Sequence, residues 1–423
     1  MLHNQELKYL KKIGIIIPTF AGGGAERFAS NLSLSLSNKW DIVNVNILYE
    51  NRIVYPYGGK LVAIGSPPAS NIFGKVYKFV SRILRIKKIK KEENIDISIS
   101  VMESSNVVNI LTAGKDKTII STRSFRAVHK GTRDLNALVY RVLMRKLYKR
   151  ANRIVCVSSI IAESLIKDFN VQKKQVRVIY NPVDTLSVEA LSKESTGKFD
   201  GLFKRPVILN VGRLTKAKGQ WHLIKAFKKV KDTIPDAKLI LVGDGELKDN
   251  LLELSHSLGL KVWSVWTGGE PSDSYDIYFA GFQKNPFMFM AKAHVLAFPS
   301  LWEGFPNVLV EAMVCGCPVI SSDCRSGPRE ILAPDTELLY QTNKPEYARY
   351  GVLMPVCDNK SNILDSRLTP EEAIWAEVIV QSLKDEGFKI KYIELAKKRI
   401  LDFKISNIAK QWDEVIEAIL KET

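Results

Sequence analysis

The sequence predicts an α/β protein with two doubly wound domains, each built on a parallel sheet, and three observations support this fold class. The chain has 423 residues, a length greater than one hydrophobic core usually serves, and 46% of them are hydrophobic and 25% charged, as in ordinary globular proteins. Two stretches, one near residue 13 and one near residue 207, begin with a β-rich run that ends in glycine and continues as a helix. Short apolar strands then alternate with helical segments, a pattern typical of parallel sheets.

The first of these stretches lies close to the start of the chain. "KIGIIIPTFAGGGAERFASNLSLSLS" predicts a strand from about Ile13, a loop at Gly22, Gly23 and Gly24, and a helix that ends near Leu36. Glycines let a backbone pass close to a ligand, and the helix after them offers free N–H groups to an anion. The triplet lacks the spacing of a Walker loop or of G-x-G-x-x-G, so a simple tight turn is an equally good interpretation.

The second stretch begins the other half of the chain. "PVILNVGRLTKAKGQWHLIKAFKKVKD" predicts a strand from Val207, a loop around Gly212 and a helix with a buried face. "KLILVGDGE", "DIYFAGF", "AHVLAFPS" and "PVISS" continue the series of strands. Asn181 and Pro182 break this regularity, and about twenty polar residues after them are interpreted as a linker. We therefore expect domains at 1–183 and 184–403, followed by an amphipathic helix at 404–423.

The formal charge of +17 is concentrated in the first half of the chain. Residues 1–181 contain 31 Lys and Arg against 12 Asp and Glu, whereas residues 182–423 contain 31 against 33. This asymmetry indicates an anionic partner, either a membrane surface or a nucleic acid, or simply a basic soluble surface. The sequence shows no aromatic-interleaved RNA platform and no helix-turn-helix, so we do not expect a nucleic-acid partner.

The segment "GKVYKFVSRILRIKKIKKEEN" carries much of this basic charge. Its apolar residues fall at helical spacing and are surrounded by solvated lysines and arginines. The apolar residues are Val76, Phe79, Val80, Ile83, Ile86 and Ile89, and the basic ones are Lys75, Lys78, Arg82, Arg85, Lys87, Lys88, Lys90 and Lys91. A basic amphipathic helix of this kind can lie in an anionic membrane interface, or its apolar face can pack on the first sheet. We expect a peripheral protein at the cytoplasmic face of the cell membrane.

Two further features of the sequence bear on this expected location. No apolar stretch approaches the roughly 18 residues of a membrane span, and the run from Ile13 to Phe20 is interpreted as a strand rather than a signal peptide. The five cysteines include no Cys-x-x-Cys, so neither a disulfide scaffold nor a zinc site is expected, and a reducing compartment is the simpler setting.

Two motifs in the second half carry the expected chemistry. In "GRLTKAKG", Arg213 and Lys218 flank a loop between strand and helix, where a guanidinium and an ammonium can hold a diphosphate. The chain contains no Asp-x-Asp pair to hold a divalent metal, so protein cations would have to stabilise a diphosphate leaving group.

The second motif is "SLWEGFPNVLVEAMV", in which Pro306 and Asn307 predict a helix start after a strand. Glu303 then lies in the loop over a ligand, and Glu311 lies one turn beyond Asn307 on the same helix face. A buried carboxylate there can accept hydrogen bonds from vicinal hydroxyls, as on a ribose. The alternative is an Asn-capped helix that carries a partly exposed glutamate.

Together these motifs resemble the family 4 retaining glycosyltransferases of GT-B fold, and "SGPREIL" from Ser326 extends the resemblance. "GGGAER" resembles the branch that builds bacterial surface polysaccharides and lipid-linked oligosaccharides. The resemblance spans nearly the whole chain. It implies two Rossmann-like domains facing a central cleft, an N-terminal acceptor-binding domain, a C-terminal donor-binding domain, and a last helix that crosses back to the first domain.

The resemblance also implies roles for particular residues. Arg213 and Lys218 would hold the donor diphosphate, Glu303 would contact the donor sugar, and Glu311 would bind the ribose; Arg213, Lys218 and Glu303 are the expected catalytic residues. The expected donor site consists of Gly212, Arg213, Lys218, Phe282, Asn285, Glu303, Gly304, Phe305, Pro306, Asn307, Val308 and Glu311. The nucleobase is placed near Phe282 to Asn285, beside a loop rich in Gly, Pro, Ser and Asp.

On the acceptor side, the histidine that some family members use has no secure match. His129 in "RSFRAVHKG" is a candidate or an ordinary loop residue, and Arg123 and Arg126 beside it could serve an anionic acceptor. We expect a metal-independent transfer, with retention, from a nucleotide diphosphate sugar to a saccharide acceptor carried on a polyprenyl diphosphate. The resemblance favours UDP as the nucleotide, with GDP behind it. The alternatives are a nucleotide-sugar epimerase, a phosphorylase, or a basic nucleic-acid-binding protein.

Overall fold

Residues 10–20, 23–48, 53–66, 71–123, 135–358 and 363–422 are described by the structure, a computed structural model. The chain divides into two units. Unit 1 consists of Met1–Pro182 together with Ile405–Thr423, and unit 2 consists of Val183–Lys404. The chain therefore passes from one unit to the other directly after Pro182, and its last segment belongs to unit 1.

Unit 1 is built on a sheet of seven parallel strands in the order β3-β2-β1-β4-β5-β6-β7. The strands are β1 (Lys12–Ile17), β2 (Asp41–Leu48), β3 (Lys60–Ser66), β4 (Ile97–Val101), β5 (Lys117–Thr122), β6 (Arg153–Cys156) and β7 (Val176–Val178). The helices between them are α1 (Gly24–Leu36), α2 (Ile72–Glu92), α3 (Glu103–Leu111), α4 (Leu135–Leu147) and α5 (Ser159–Phe169).

Both faces of this sheet are buried, as the continuous apolar run of β1 predicts. Ile13, Ile15 and Ile17 point to one face, and Ile16 points to the other, because successive side chains of a strand alternate. The sheet is therefore covered on both sides, and its carboxyl edge remains the place where loops and helix N-termini meet.

Unit 2 contains an eight-stranded sheet in the order β10-β11-β9-β8-β12-β13-β15-β14. Its strands are β8 (Val207–Val211), β9 (Lys238–Val242), β10 (Val262–Ser264), β11 (Ile277–Gly281), β12 (Val295–Phe298), β13 (Val319–Ser322), β14 (Glu346–Ala348) and β15 (Gly351–Met354). The alternating pattern predicts a wholly parallel sheet. The edge strand β14 departs from this prediction, because it runs antiparallel to β15. The two strands are joined by a short turn, which can connect only antiparallel neighbours.

The helices of unit 2 are α6 (Thr185–Ser192), α7 (Gln220–Thr233), α8 (Lys248–Ser257), α9 (Phe287–Lys292), α10 (Asn307–Val314), α11 (Pro328–Leu332), α12 (Pro370–Lys384) and α13 (Glu386–Arg399).

The segment after Pro182, interpreted from its sequence as a linker, is instead folded, so that interpretation is wrong. Asp184 caps α6 by accepting a hydrogen bond from the Ser187 amide at 3.1 Å, and Val188 is buried. Phe199 is buried as well and meets Trp263 edge-on. A few well-spaced apolar residues anchor an otherwise polar sequence.

The last helix, α14 (Ile405–Lys421), packs within unit 1. Its buried face consists of Ile408, Trp412, Val415, Ile416 and Ile419, the spacing of which is visible in the sequence. The Trp412 ring lies 5.8 Å from the ring of Phe28 on α1, measured between centroids. Trp40 donates a hydrogen bond to Asp413 at 2.7 Å. The helix thus completes the core of the unit in which the chain begins.

Helix α2 differs from the sequence prediction because it carries two apolar faces rather than one. Its inner face packs on the sheet and consists of Phe79, Ile83, Ile86 and Ile89. Its opposite face is exposed to solvent, and we call this set the outer stripe: Phe73, Val76, Tyr77, Val80 and Leu84. Val76 and Val80 therefore do not belong to the packed face. Among the described residues, no helix combines the length and apolar character needed to cross a bilayer.

Candidate functional site

The order of strands in unit 2 places β8 beside β12, with the earlier strands on one side and the later strands on the other. In doubly wound sheets, such a reversal opens a crevice at the carboxyl ends of the two strands, where ligands bind. Residues 212–219 follow β8, and residues 299–306 follow β12. The two motifs that the sequence singles out are therefore brought together at the reversal point.

These two loops are in direct contact. The Leu301 amide donates a hydrogen bond to the carbonyl oxygen of Ala217 at 2.8 Å. Gly219 has a φ of +62°, and a Cβ atom there would lie 2.5 Å from the carbonyl oxygen of Pro299. A larger residue cannot occupy this position without moving backbone, so glycine is required for the close approach of the loops.

Lys218 and Glu303 meet across this contact. The Lys218 ammonium donates a hydrogen bond to Glu303 Oε1 at 2.6 Å, and the two side chains are 20% and 12% exposed. The ammonium also lies 5.0 Å from the centre of the Phe298 ring. Both charged groups are held in position, yet each still reaches the solvent from which a ligand would come. The remaining predicted cation, Arg213, is exposed on the same loop.

The loop after β13 supports the Glu303 loop from behind. Ser326 donates a hydrogen bond to the carbonyl oxygen of Gly304 at 2.5 Å. Gly327 has a φ of +100°, and a Cβ there would lie 2.4 Å from Pro306 Cδ. Phe305 is buried, and its ring centre lies 5.8 Å from that of Phe403. The segment from Gly304 to Pro306 is therefore fixed by packing, which keeps the preceding glutamate in place.

A buried ion pair holds the loop after β13 itself. Arg329 contacts Asp323 through Nη2 at 2.6 Å and Glu346 at 2.7 Å, and the first two side chains are almost fully buried. Burial raises the pKa of the Asp323 carboxyl, and the hydrogen bonds from Arg329 and from the Thr342 amide only partly offset this effect. This cluster is a support for the site rather than part of its open surface.

Helix α10 begins at Asn307, as the sequence predicts, but Pro306 occupies the N-cap position and no side chain caps the helix. The Asn-capped alternative is therefore wrong. Val308 remains partly exposed. Glu311 is only 9% exposed, and it already makes a polar or electrostatic contact within the protein, so its burial does not by itself require a ligand. Its assignment to a ribose stays a prediction.

Sequence reasoning missed the glycines of the loop after β9. Gly243 has a φ of +150°, and a Cβ there would lie 2.0 Å from the carbonyl oxygen of Gly212. A Cβ on Gly245 would lie 2.4 Å from the carbonyl oxygen of Leu214. The Gly-Asp-Gly sequence is the signal that could have identified this contact. These glycines let the β9 loop press against the loop that carries Arg213.

The predicted nucleobase contacts have different surroundings. The Phe282 side chain is 75% exposed and free to stack on a ligand. Asn285 instead donates hydrogen bonds to the Leu191 carbonyl oxygen and to Glu194, both at 2.8 Å. Its amide nitrogen therefore fastens the end of α6, and the structure gives it this supporting contact rather than an open position.

The predicted acceptor residues belong to unit 1. Gly22, Arg126 and His129 lie outside the described residues. Gly23 has a φ of +137°, and Gly24 begins α1. Arg123 follows β5 at the carboxyl edge of the sheet. Within the described ranges, no group of three or more His, Cys, Asp and Glu side chains is arranged to hold a metal ion.

Two protein-family models match the chain. One, Glycosyl transferases group 1, covers residues 194–350, and the other, Glycosyltransferase Family 4, covers residues 22–186. An uncharacterized glycosyltransferase of Methanocaldococcus jannaschii is 31% identical, over 81% of this chain and 84% of its own length. A further relative, from Campylobacter jejuni, is 29% identical over 95% of this chain and 98% of its own. Its name is N-acetylgalactosamine-N,N'-diacetylbacillosaminyl-diphospho-undecaprenol 4-alpha-N-acetylgalactosaminyltransferase.

The fold has solved counterparts. The crystal structure of HepE from Anabaena in complex with UDP superposes with a TM-score of 0.70 at 18% identity, covering 96% of this chain and 100% of that one. Sucrose-phosphate synthase from Thermosynechococcus elongatus superposes with a TM-score of 0.73 at 15% identity, covering 98% and 100%. The predicted fold class and the resemblance are confirmed, and the chain belongs to the family 4 glycosyltransferases of GT-B fold.

Proposed function

We propose that this glycosyltransferase moves a hexose or an N-acetylhexosamine from a nucleotide diphosphate sugar, with UDP preferred, to a saccharide carried on a polyprenyl diphosphate. The transfer retains the anomeric configuration, needs no metal ion, and serves the assembly of a bacterial surface glycan. The Campylobacter relative supports the acceptor class, since its name describes transfer to a diphospho-undecaprenol saccharide. The UDP bound to HepE supports the nucleotide.

The observation that carries this proposal is the contact between Lys218 and Glu303 at 2.6 Å, at the point where the strand order reverses. An ammonium has three donors, so Lys218 can hold Glu303 and still donate to a phosphate oxygen. A carboxylate accepts hydrogen bonds from sugar hydroxyls. The pair therefore offers one group for each part of a sugar diphosphate.

The chemistry follows from these charges. As the bond between the sugar and the diphosphate breaks, negative charge develops on the departing phosphate. Lys218 and Arg213 stabilise that charge, and fixed cations do so best when they need not reorganise. The departing phosphate takes the proton of the attacking hydroxyl, which approaches from the same face of the sugar. The N-terminus of α10 points into the same region and favours negative charge there.

A direct test follows the release of UDP from UDP-glucose, UDP-galactose and UDP-N-acetylgalactosamine, with and without a saccharide acceptor. We expect release to depend on the acceptor and to continue at nearly the same rate in excess chelator, because Arg213 and Lys218 replace a metal at the diphosphate. An activity that collapses on chelation and returns with magnesium or manganese would contradict the metal-independent proposal. UDP release that proceeds at the same rate with and without the acceptor would contradict sugar transfer to a saccharide.

The two glutamates should separate in their effects. We expect Glu311→Ala to weaken the binding of UDP and Glu303→Ala to lower turnover while UDP still binds, because one lies on the α10 face and the other in the sugar-facing loop. Loss of a hydrogen bond to a charged group should cost about 1.5–3 kcal/mol. Calorimetric titration of UDP into both variants measures the first effect, and equal losses in the two would refute this division of roles.

The membrane surface is the second part of the proposal, and the outer stripe of α2 supports it. Lys87 lies seven residues after Val80, and Lys88 and Lys91 lie four and seven residues after Leu84, so all three continue the same helix face. The exposed face is thus apolar in its first half and cationic in its second. Such a helix can lie in an anionic interface at the inner face of the cell membrane.

Co-sedimentation with vesicles tests this surface. Each engaged cation contributes about 1 kcal/mol near an anionic membrane, so we expect binding to anionic vesicles, little to neutral ones, and weakening by salt. Changing Lys87, Lys88 and Lys91 to glutamine should reduce it. Lys90 is left intact because it is buried and paired with Asp116 at 2.9 Å. The prediction that Lys90 is one of the solvated lysines of this helix is therefore wrong.

A matched control removes the same charge elsewhere in unit 1. Lys149, Lys173 and Lys174 are exposed, and the last two precede β7, the edge strand farthest from β3. Changing these three to glutamine should leave vesicle binding nearly unchanged. Equal losses in the two triple variants would point to net charge alone, and equal binding to anionic and neutral vesicles would end the membrane proposal.

A further inference from the structure

The carboxyl edge of the unit 1 sheet carries charged residues that the proposed donor chemistry does not use. Strands β1, β4 and β5 are parallel neighbours, so the residues that follow them lie side by side. Glu103 comes just after β4, and Arg123 comes just after β5. Sequence reasoning considered Arg123 but not Glu103, although a glutamate directly after the buried run "ISISV" is a visible signal.

Glu103 is placed there at a cost to the fold. The residue before it, Met102, has a φ of +77°, a backbone conformation that residues other than glycine rarely adopt. Glu103 Oε1 is shielded from solvent and has no hydrogen-bond partner within the described part of the chain. Burial raises the pKa of the Glu103 carboxyl, while its own backbone amide and Arg123 act in the opposite sense. Strained backbone and buried polar atoms without hydrogen-bond partners cluster at functional sites in proteins.

The helix that carries Glu103 is rigidly anchored. Asn106 on α3 donates to the carbonyl oxygen of Ser121 at 2.9 Å, and Asn109 donates to the carbonyl oxygen of Ser98 at 3.2 Å. These bonds tie the buried face of α3 to β4 and β5. A carboxylate at the first position of such a helix is held in place by the fold rather than by a flexible loop.

Arg123 is held in a complementary way. Its guanidinium carbon lies 3.4 Å from the centre of the Phe28 ring on α1, and Nη1 donates to Ser121 Oγ at 3.0 Å. Nη2 has no hydrogen-bond partner among the described residues. Coulombic attraction acts between Glu103 and Arg123, but no salt bridge joins them among the described residues. Both residues remain partly exposed, although Glu103 Oε1 and Arg123 Nη2 themselves are shielded from solvent, so a ligand would meet the other atoms of each side chain.

The signs of the neighbouring charges indicate the kind of ligand. Glu26 lies in the first turn of α1, and a Cβ on Gly23 would lie 2.4 Å from its Oε2, so the N-terminus of α1 already has a carboxylate beside it. Among the described residues, the two carboxylates Glu26 and Glu103 stand beside the two guanidiniums Arg123 and Arg27, so the nearly balanced charge gives a diphosphate no net attraction. A neutral polyhydroxyl compound suits this edge, since each hydroxyl both donates and accepts a hydrogen bond.

We propose that Glu103 and Arg123 form the binding site for the saccharide part of the acceptor: the carboxylate accepts a hydrogen bond from one sugar hydroxyl, and the guanidinium donates one to a sugar oxygen. The acceptor diphosphate then lies elsewhere. This inference rests on the proposed transfer to a saccharide, and it replaces the expectation that Arg123 serves an anionic group.

The test compares two acceptor types with the full chain and a UDP-sugar donor. One type is a set of octyl glycosides of glucose, galactose and N-acetylgalactosamine, and the other is the same sugars linked to farnesyl diphosphate. We expect Glu103→Ala to raise the acceptor KM about 10- to 100-fold for both types. Glu103→Gln should raise it less, because an amide oxygen still accepts a hydrogen bond. UDP affinity by calorimetry should change less than about twofold, since the donor site belongs to unit 2.

A control variant, Glu163→Gln on α5, makes the same chemical change at the surface of the same unit and should leave the acceptor KM unchanged. If Glu103→Ala does not fold, Glu103→Gln and Arg123→Lys decide the question. A KM that falls for the diphosphate-linked acceptors and stays constant for the octyl glycosides would overturn the inference in favour of diphosphate binding. Unchanged KM values for both types would overturn it as well.

The same experiment separates this inference from the proposed function. A wild-type chain that binds UDP but transfers sugar to none of the acceptors overturns the proposed function, and the inference falls with it. If the wild-type chain transfers sugar but the variants have the same acceptor KM, only the inference is overturned and the proposed function stands.

Discussion

Replacing Lys218 with alanine is expected to lower turnover by about 100- to 1,000-fold, the loss that follows removal of one preorganised group facing a developing negative charge. The physical reason is twofold. The departing diphosphate loses a fixed cation, and Glu303, only 12% exposed, loses the partner that donates to it at 2.6 Å. A carboxylate left without that partner repels the phosphate that is joined to the sugar it holds. Steady-state transfer rates at saturating donor measure the effect.

Two companion variants sharpen this test. Lys216 is exposed on the same loop, and Lys216→Ala removes an equal charge without touching Glu303, so it should retain most of the activity. The double variant Lys218→Ala with Glu303→Ala should lose much less than the product of the two single losses, since residues in contact are not additive. Additive losses, or equal losses for Lys216 and Lys218, would show that the pair does not act as a unit.

Replacing Glu372 with alanine is expected to destabilise unit 2 by about 3–5 kcal/mol, the typical result of removing one partner from a buried ion pair. Glu372 is fully buried on α12 and accepts from His222 at 2.6 Å and from Lys225 at 2.5 Å, both on α7. Its other oxygen accepts from the Thr369 amide at 2.8 Å. The alanine variant leaves the Lys225 ammonium buried without its counter-charge.

Urea denaturation of the full chain measures this loss, and Glu377→Ala is the matched control, because Glu377 is exposed on the same helix. Burial alone would raise the pKa of Glu372, but hydrogen bonds from His222 and Lys225 hold it below its ordinary value. Its contribution is therefore present at neutral pH and is lost as the pH falls through the ordinary range of a glutamate and then through the lowered pKa. A variant as stable as the control at pH 7 would contradict this role.

The expected consequence for function follows from where the cluster lies. His222 is the third residue of α7, directly after the loop that carries Lys218 and Gly219. Its amide donates to the Gly219 carbonyl oxygen at 3.0 Å. A weakened anchor at Glu372 should therefore loosen the donor loop before unit 2 unfolds, so UDP affinity should fall at urea concentrations below the unfolding transition.

The sequence by itself determined the secondary structure around Lys218 and Glu303. The apolar runs that became β8 and β12 and the 3–4 spacing of α7 are local properties, because burial of one face repeats with the period of the element. The same holds for α14, whose five buried residues are spaced as predicted. Lys218 and Glu303 were found because each lies beside a strand end, where ligands bind in this class of sheet.

Local patterns failed where a segment had two partners or only a few anchors. Helix α2 shows apolar residues on two faces, and its sequence does not say which face meets the sheet. Lys90 looked like one more solvated lysine, but the fold places it against Asp116, 26 positions away. The residues after Pro182 appeared too polar to fold, yet Phe199 and a few others suffice once Trp263 covers them.

Only the tertiary structure decided which residues meet. Lys218 and Glu303 are 85 positions apart, and their contact exists because β8 and β12 are neighbours although they are far apart in sequence. Glu103 and Arg123 likewise lie at one edge of the sheet because β4 pairs with β5, although no hydrogen bond or salt bridge joins them among the described residues. Periodicity reports whether a side chain is buried, whereas strand order and register decide what it touches. Strand order depends on the packing of the whole unit, and no single stretch of the chain contains that information.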